Sequence, residues 1–152
     1  MLDETIGDFM SNPSLLDKIT SINSEAPFNR WAGLRVTSAE PGCVELELSW
    51  RSDFGQYSGF LHAGMIGALI DTSCGFAAVT TMDWVTASHF SVSCLAPAKG
   101  DTFLAKGRII KGGRKQVFAT AELFANADKQ SKLVATGQTL LVPLEKAPPV
   151  PA

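Results

Sequence analysis

The sequence is short of the residues that staple or metallate small folds. It has three cysteines, Cys43, Cys74 and Cys94, none in a Cys-x-x-Cys spacing, and an odd number argues against a closed disulfide framework. Its two histidines, His62 and His89, leave a His/Cys zinc site without support, so no metal or other cofactor is expected. Charged residues make up only 18% and the formal net charge is -2. Such a chain offers no strong field to nucleic acid or to anionic lipid, and neither is expected as a partner. A long uninterrupted apolar run is missing too. The longest candidate, residues 64–82, carries Asp71 near its middle, which a lipid-facing span resists. The opening stretch Met1-Leu2-Asp3-Glu4-Thr5-Ile6-Gly7-Asp8 is acidic where a signal peptide begins basic. With its free thiols, the chain is expected to be cytoplasmic.

What is present is a chain of 152 residues with 45% hydrophobic content, enough to bury one core without staples. Residues 1–27 read as an N-terminal segment with a short helix. Asn12 caps it, Pro13 fills its first turn, and Leu15, Leu16, Ile19 and Ile22 form its apolar stripe. The pair Ala26-Pro27 ends it, because a residue before proline avoids helical torsions. Extended segments follow at 34–39 and 44–50, joined by Glu40-Pro41-Gly42; in the second, Val44, Leu46, Leu48 and Trp50 alternate with polar residues. Residues 51–61 read as a loop and 62–81 as one long helix. Strands are then expected at 85–95, 103–110, 116–124 and 132–142, with a hairpin at Lys111-Gly112-Gly113-Arg114 and a turn at 126–129. Residues 28–146 form the single expected domain, and Ala147–Ala152 a disordered, proline-rich tail. Antiparallel strands around one buried helix make an α+β fold.

Asp71 is the only charged residue between His62 and Met82. On a helix its neighbours three, four and seven positions away are Gly64, Gly67, Ala68, Cys74, Gly75 and Ala78, all small. Helical glycine costs roughly 1 kcal/mol relative to alanine, so these glycines suggest a close approach to the helix backbone. One reading is tight sheet packing around a hydrogen-bonded Asp71. The other is a groove walled by a desolvated carboxylate, raised towards the range of a general base. At the helix entry, the amide of Ala63 or Gly64 is unpaired by helix geometry and is placed to polarise a carbonyl. His62 either orients substrate or caps the loop. Cys74 reads as a small buried thiol, since Asp71 opposes thiolate formation.

The run Gln56-x-x-Gly59-x-x-His62-Ala63-Gly64, with Asp71 nine positions after His62, resembles the PaaI-like hotdog thioesterases. So do Leu95-Ala96-Pro97-Ala98-Lys99-Gly100-Asp101 and the stretch from Gly107 to Arg114, and the likeness covers about residues 28–142. The resemblance implies a hotdog fold, a sheet of about six strands wrapped around one long central helix, and hydrolysis of acyl-CoA without a metal. It implies homodimers or homotetramers, with each site at a subunit interface: Asp71 from one subunit, Gln56, His62 and the Ala63 amide from its partner. Gly67 and Gly75 would border the pantetheine channel. Of the basic residues Lys99, Lys106, Arg108, Lys111, Arg114 and Lys115, Lys111 and Arg114 are the best placed for the CoA phosphates. Exposed sheet edges are an independent physical ground for pairing two copies.

The chain departs from the family where relatives carry a hydroxyl residue ten positions before the proline of Ala96-Pro97-Ala98. Here that residue is Ala87, and Thr86 and Ser88 alternate to the other face of a regular strand. His89 stands where many relatives have an acid. Two other readings follow: a hotdog dehydratase or hydratase using His62 and Asp71, and a non-catalytic acyl-CoA binder. Phe60, Phe76, Trp84 and Phe90 are candidates for lining an acyl pocket.

Overall fold

The computed structural model describes residues 13–149. The expected Asn12 cap and the end of the tail, residues 150–152, lie outside them. Helix α1 (Leu15–Glu25) is capped two positions later than expected, by Ser14, whose hydroxyl accepts the Asp17 N–H at 3.1 Å. Pro13 therefore precedes the cap instead of filling the first turn. Ala26 is extended, as the following proline requires, and Pro27 then opens a second helix, α2 (Pro27–Ala32), that the sequence reading did not anticipate. Gly33, at φ 72°, turns the chain out of α2 through the left-handed region. Two buried asparagines pin this segment: Asn29 Nδ2 donates to Asn23 Oδ1 at 3.1 Å, and Asn23 Nδ2 donates to the Leu34 carbonyl at 2.7 Å.

Six strands follow: β1 (Arg35–Glu40), β2 (Cys43–Ser49), β3 (Trp84–Cys94), β4 (Thr102–Gly112), β5 (Val117–Ala127) and β6 (Gln130–Leu144). They form one antiparallel sheet in the order β1-β2-β4-β5-β6-β3. The hairpin at Pro41-Gly42 closes with Gly42 at φ 80°. The β5–β6 hairpin is tighter than expected. Asp128 and Lys129, at φ 50° and 61°, form a two-residue turn with both torsions positive, so β6 begins at Gln130 and not at residue 132.

Helix α3 (Ala63–Val79) lies against the concave face of this sheet, which makes the hotdog arrangement. Leu69, Ile70, Cys74, Ala77 and Ala78 are fully buried, facing Leu46, Leu48, Phe103 and Leu123 from the strands. Each large apolar side chain so buried contributes on the order of 1.5–3 kcal/mol. The close approaches between helix and sheet are made by strand glycines. A Cβ at Gly107 would overlap the Ser73 carbonyl, and one at Gly137 would meet Ile70 Cγ2 at 2.5 Å. The helix glycines differ among themselves: only Gly67 is approached closely by another element, at Phe90. Gly75 has nothing within 4 Å of the position a Cβ would take, and Gly64 meets only the His62 ring.

Candidate active site

Two cavities lie along α3. The first surrounds its N-terminus, has a volume of about 680 Å³, and is lined by Gln56, Phe60, His62 and Ala63 with Leu95 and Pro97 from beyond β3. His62 is the N-cap of α3: its Nδ1 accepts the Gly64 N–H at 2.8 Å. That bond commits the Gly64 amide and leaves the ring proton of neutral His62 on Nε2, at the exposed side of the ring. The Ala63 N–H has no hydrogen-bond partner among the described residues and sits at the positive end of a 17-residue helix. Of the two candidate amides, Ala63 is the free donor. Gln56 is folded onto its own loop, its side-chain oxygen accepting the Ser58 N–H.

The second cavity, of about 250 Å³, opens halfway along α3. Asp71, Thr72 and Gly75 form its helix side, and Thr86 and Ala87 its β3 side. The Asp71 carboxyl is half-buried, and its buried Oδ1 has no hydrogen-bond partner. Burial alone pushes its pKa above the ordinary carboxylate value of 3.8. The resulting group is an acceptor poorly solvated and free to take a proton. The hydrogen-bonded alternative for Asp71 is therefore not what the fold produces for that oxygen. Cys74, one turn on, is buried and its thiol is pushed up to about 11: burial raises it, the neighbouring Thr139 hydroxyl lowers it, and the Asp71 charge raises it again. It stays a thiol, as expected.

Thr86 and Ala87 pair in regular register with Val142 and Leu141 of β6, and the β3–β6 register slips only beyond them, between Ala87 and His89. Thr86 and Ala87 both line the Asp71 cavity. Thr72 also lines it, a polar residue that the sequence pattern did not single out. Thr72 was hidden because i and i+1 on a helix do not share a face.

A single chain does not bring its expected site residues together. Asp71 is eight residues beyond Ala63, which on a straight helix is a separation of about 12 Å along the axis. The donor of the first cavity and the acceptor of the second cannot meet at one reacting atom within this chain. Gly67 lies under Phe90, whose Cε2 is 3.3 Å from the position of a Cβ there, while Gly75 borders the Asp71 cavity. The four aromatic candidates divide likewise: Phe76 and Trp84 line the Asp71 cavity, Phe60 the first, and Phe90 is exposed on β3. Lys111 and Arg114 line an open cleft of about 660 Å³ at the β4–β5 hairpin, with Lys115 and Phe118. Arg114 also lies near Met82 and Pro143, and Pro143 pairs with Val85 of β3. Lys106 is already engaged, 3.7 Å from Glu45 and 5.2 Å from the Phe124 ring centroid. No described helix is long and apolar enough to cross a membrane.

Comparison with known proteins agrees with this architecture. A thioesterase family protein of Silicibacter pomeroyi is 31% identical in sequence and superposes with a TM-score of 0.81 over 85% of this chain and 97% of its own. Human acyl-coenzyme A thioesterase 13 is 26% identical over 129 residues, 82% of this chain and 91% of that protein. The E. coli PaaI protein from the phenylacetic acid degradation operon, at 19% identity, shares the fold, with a TM-score of 0.77 over 86% of this chain and 96% of its own. The family described as the thioesterase superfamily matches residues 58–132, a segment running from the loop before α3 through β3, β4 and β5 into β6. From the helix N-terminus to the last hairpin, then, this chain belongs to the thioesterase superfamily.

Proposed function

We propose that the protein is a cytoplasmic, homo-oligomeric acyl-CoA thioesterase whose sites each combine two copies of the chain. The observation that carries this reading is the desolvated, unpartnered Asp71 carboxyl beside an edge strand whose faces are left open. In a strand with one face on the core, every second residue is buried. Residues 86–91 of β3 are instead exposed without alternation. A second copy against β3 would cover them and bring its own α3 N-terminus to the Asp71 cavity. The named activity of human acyl-coenzyme A thioesterase 13 is consistent with this substrate class.

In this reading the thioester carbonyl oxygen accepts the Ala63 N–H of one copy, and Asp71 of the other faces the carbonyl carbon. Asp71 takes a proton from water as the water oxygen attacks, or it attacks the carbonyl carbon itself to give an anhydride that water then opens. The tetrahedral oxyanion is held by the Ala63 amide at the positive helix end. Its collapse breaks the C–S bond, and CoA leaves as a thiolate that recovers the proton. Gln56 and the His62 Nε2–H orient the water or the carboxyl group. Lys111 and Arg114 receive the CoA phosphates.

The test is thiol release from acetyl-, hexanoyl-, benzoyl-, phenylacetyl- and palmitoyl-CoA by wild type and Asp71→Asn. Loss of a positioned acid–base group is expected to lower kcat by about 10²–10⁴-fold, with the variant still folded and still binding acyl-CoA. A folded, dimeric wild type that releases no thiol from any member of the panel would favour the non-catalytic binder.

A further inference from the structure

The Asp71 cavity has a chemically uneven lining. Along α3 its wall is Asp71, Thr72, Gly75, Phe76 and Val79, a stripe at helical spacing that runs from the carboxylate towards the helix C-terminus. Beyond the carboxylate every large lining group is apolar: Phe76 and Val79 from α3, Trp84 from β3, Leu141 from β6 and Ile22 from α1. The stripe is interrupted only at Gly75, where a side chain would enter open space. Helix α1 lies across the far end, because Ile22 is in the lining and Lys18 Nζ donates to the Val79 carbonyl at 3.4 Å. Ile19, one turn before Ile22, is fully buried, so α1 is a fixed wall.

Resting on the thioesterase reading, we propose that this apolar end is the acyl pocket and that Ile22 of α1, with Trp84, limits it to a compact acyl group, a medium chain or a single aromatic ring. The volume of about 250 Å³ sets the scale. At roughly 30 Å³ per water-sized group, it holds about eight non-hydrogen atoms. Hexanoyl, benzoyl and phenylacetyl groups match this. A palmitoyl chain is about twice too large. An acetyl group leaves most of the apolar wall uncovered, and each missing methylene in such a pocket lowers kcat/KM by roughly 10-fold or more.

The experiment is the ratio of kcat/KM values across acetyl-, hexanoyl-, phenylacetyl-, decanoyl- and palmitoyl-CoA for wild type, Ile22→Ala and Gly75→Val. Wild type is expected to prefer hexanoyl or phenylacetyl over palmitoyl by at least about 10-fold. Ile22→Ala opens the far wall, and the decanoyl-to-hexanoyl ratio rises by roughly 10-fold. Gly75→Val fills the gap in the stripe, and the hexanoyl-to-acetyl ratio falls by a similar factor. Because the two changes act in opposite directions, loss of fold in one leaves the other to decide. A wild type that hydrolyses palmitoyl-CoA as well as hexanoyl-CoA, or ratios unmoved in the folded variants, overturns the pocket while leaving the thioesterase reading intact. A wild type inactive on every thioester removes both.

Discussion

β1 and β3 are the two edges of one sheet, yet only β1 is built as an edge that stays closed. β1 has six residues, a register slip between Val36 and Ser38, charges at Arg35 and Glu40, and α1 packed beside it. Short length, a bulge, charge and a covering helix are the usual means of blocking edge-to-edge pairing. β3 has eleven residues, no Lys, Arg, Asp, Glu or Pro, and an almost continuously exposed surface. An edge of that kind is a template for another strand. In this chain it also borders the cavity holding Asp71, so the open edge and the incomplete site coincide. The edge left open is the one beside the carboxylate, which is where the proposed second copy would add its donor amide.

The comparison is broken most severely by charging β3. Ser91→Lys with Ser93→Lys is expected to dissociate the oligomer and lower thioester turnover by at least about 100-fold, since removing an oxyanion donor alone costs 10²–10³. Ser38→Lys on β1 should change neither, and light scattering coupled to size-exclusion chromatography with a turnover assay reads both. Next in size is the cover over β1. Ile19→Ala empties a fully buried site and is expected to cost about 2–5 kcal/mol in denaturant unfolding, with self-association at the uncovered edge.

The Asp71 carboxyl sharpens the comparison through pH. Its folded pKa is raised, so folding favours the protonated form; that contribution is full below 3.8 and is lost as pH rises through the higher folded value. Asp71→Asn is therefore expected to raise the melting midpoint at pH 8, with the gain vanishing near pH 3, while wild-type turnover rises with pH as the base ionises. The smallest effect belongs to the Arg35–Glu47 ion pair between β1 and β2. It is largely exposed on the arginine side, so Arg35→Ala should change stability by about 0–1 kcal/mol.

Much of this was readable in the chain. Alternation identified β2, the glycine-marked turns placed two hairpins, and one acid in an apolar helix singled out Asp71. Local patterns succeed there because the cause is local. Helix α2 was missed because six residues after a proline give no periodic stripe. The tightest approaches, at the strand glycines Gly107 and Gly137, were not legible, because a glycine's sequence neighbours do not say what lies across from it: the Ser73 carbonyl for Gly107, Ile70 and the Ser91 carbonyl for Gly137. The slip between Ala87 and His89 was hidden, because register slips leave no mark in a residue pattern. Sheet order was equally hidden: β3 pairs with β6, some fifty residues away, and not with its neighbours in sequence. The proposed division of the site between copies came from family resemblance, and the helical distance from Ala63 to Asp71 gives it a physical ground.

That division is tested most directly by mixing two variants that are inactive for different reasons. Ala63→Pro deletes the donor amide but suits the helix, since Ala63 is the first helical residue and His62 before it is already extended at φ -62°, ψ 139°. Asp71→Asn deletes the acceptor. Each homodimer alone should be nearly inactive. Unfolded together at equal amounts and refolded, they form heterodimers in which one of two sites is intact, and about a quarter of wild-type turnover should return. Heterodimers that form and remain as inactive as their parents would contradict a site shared between copies.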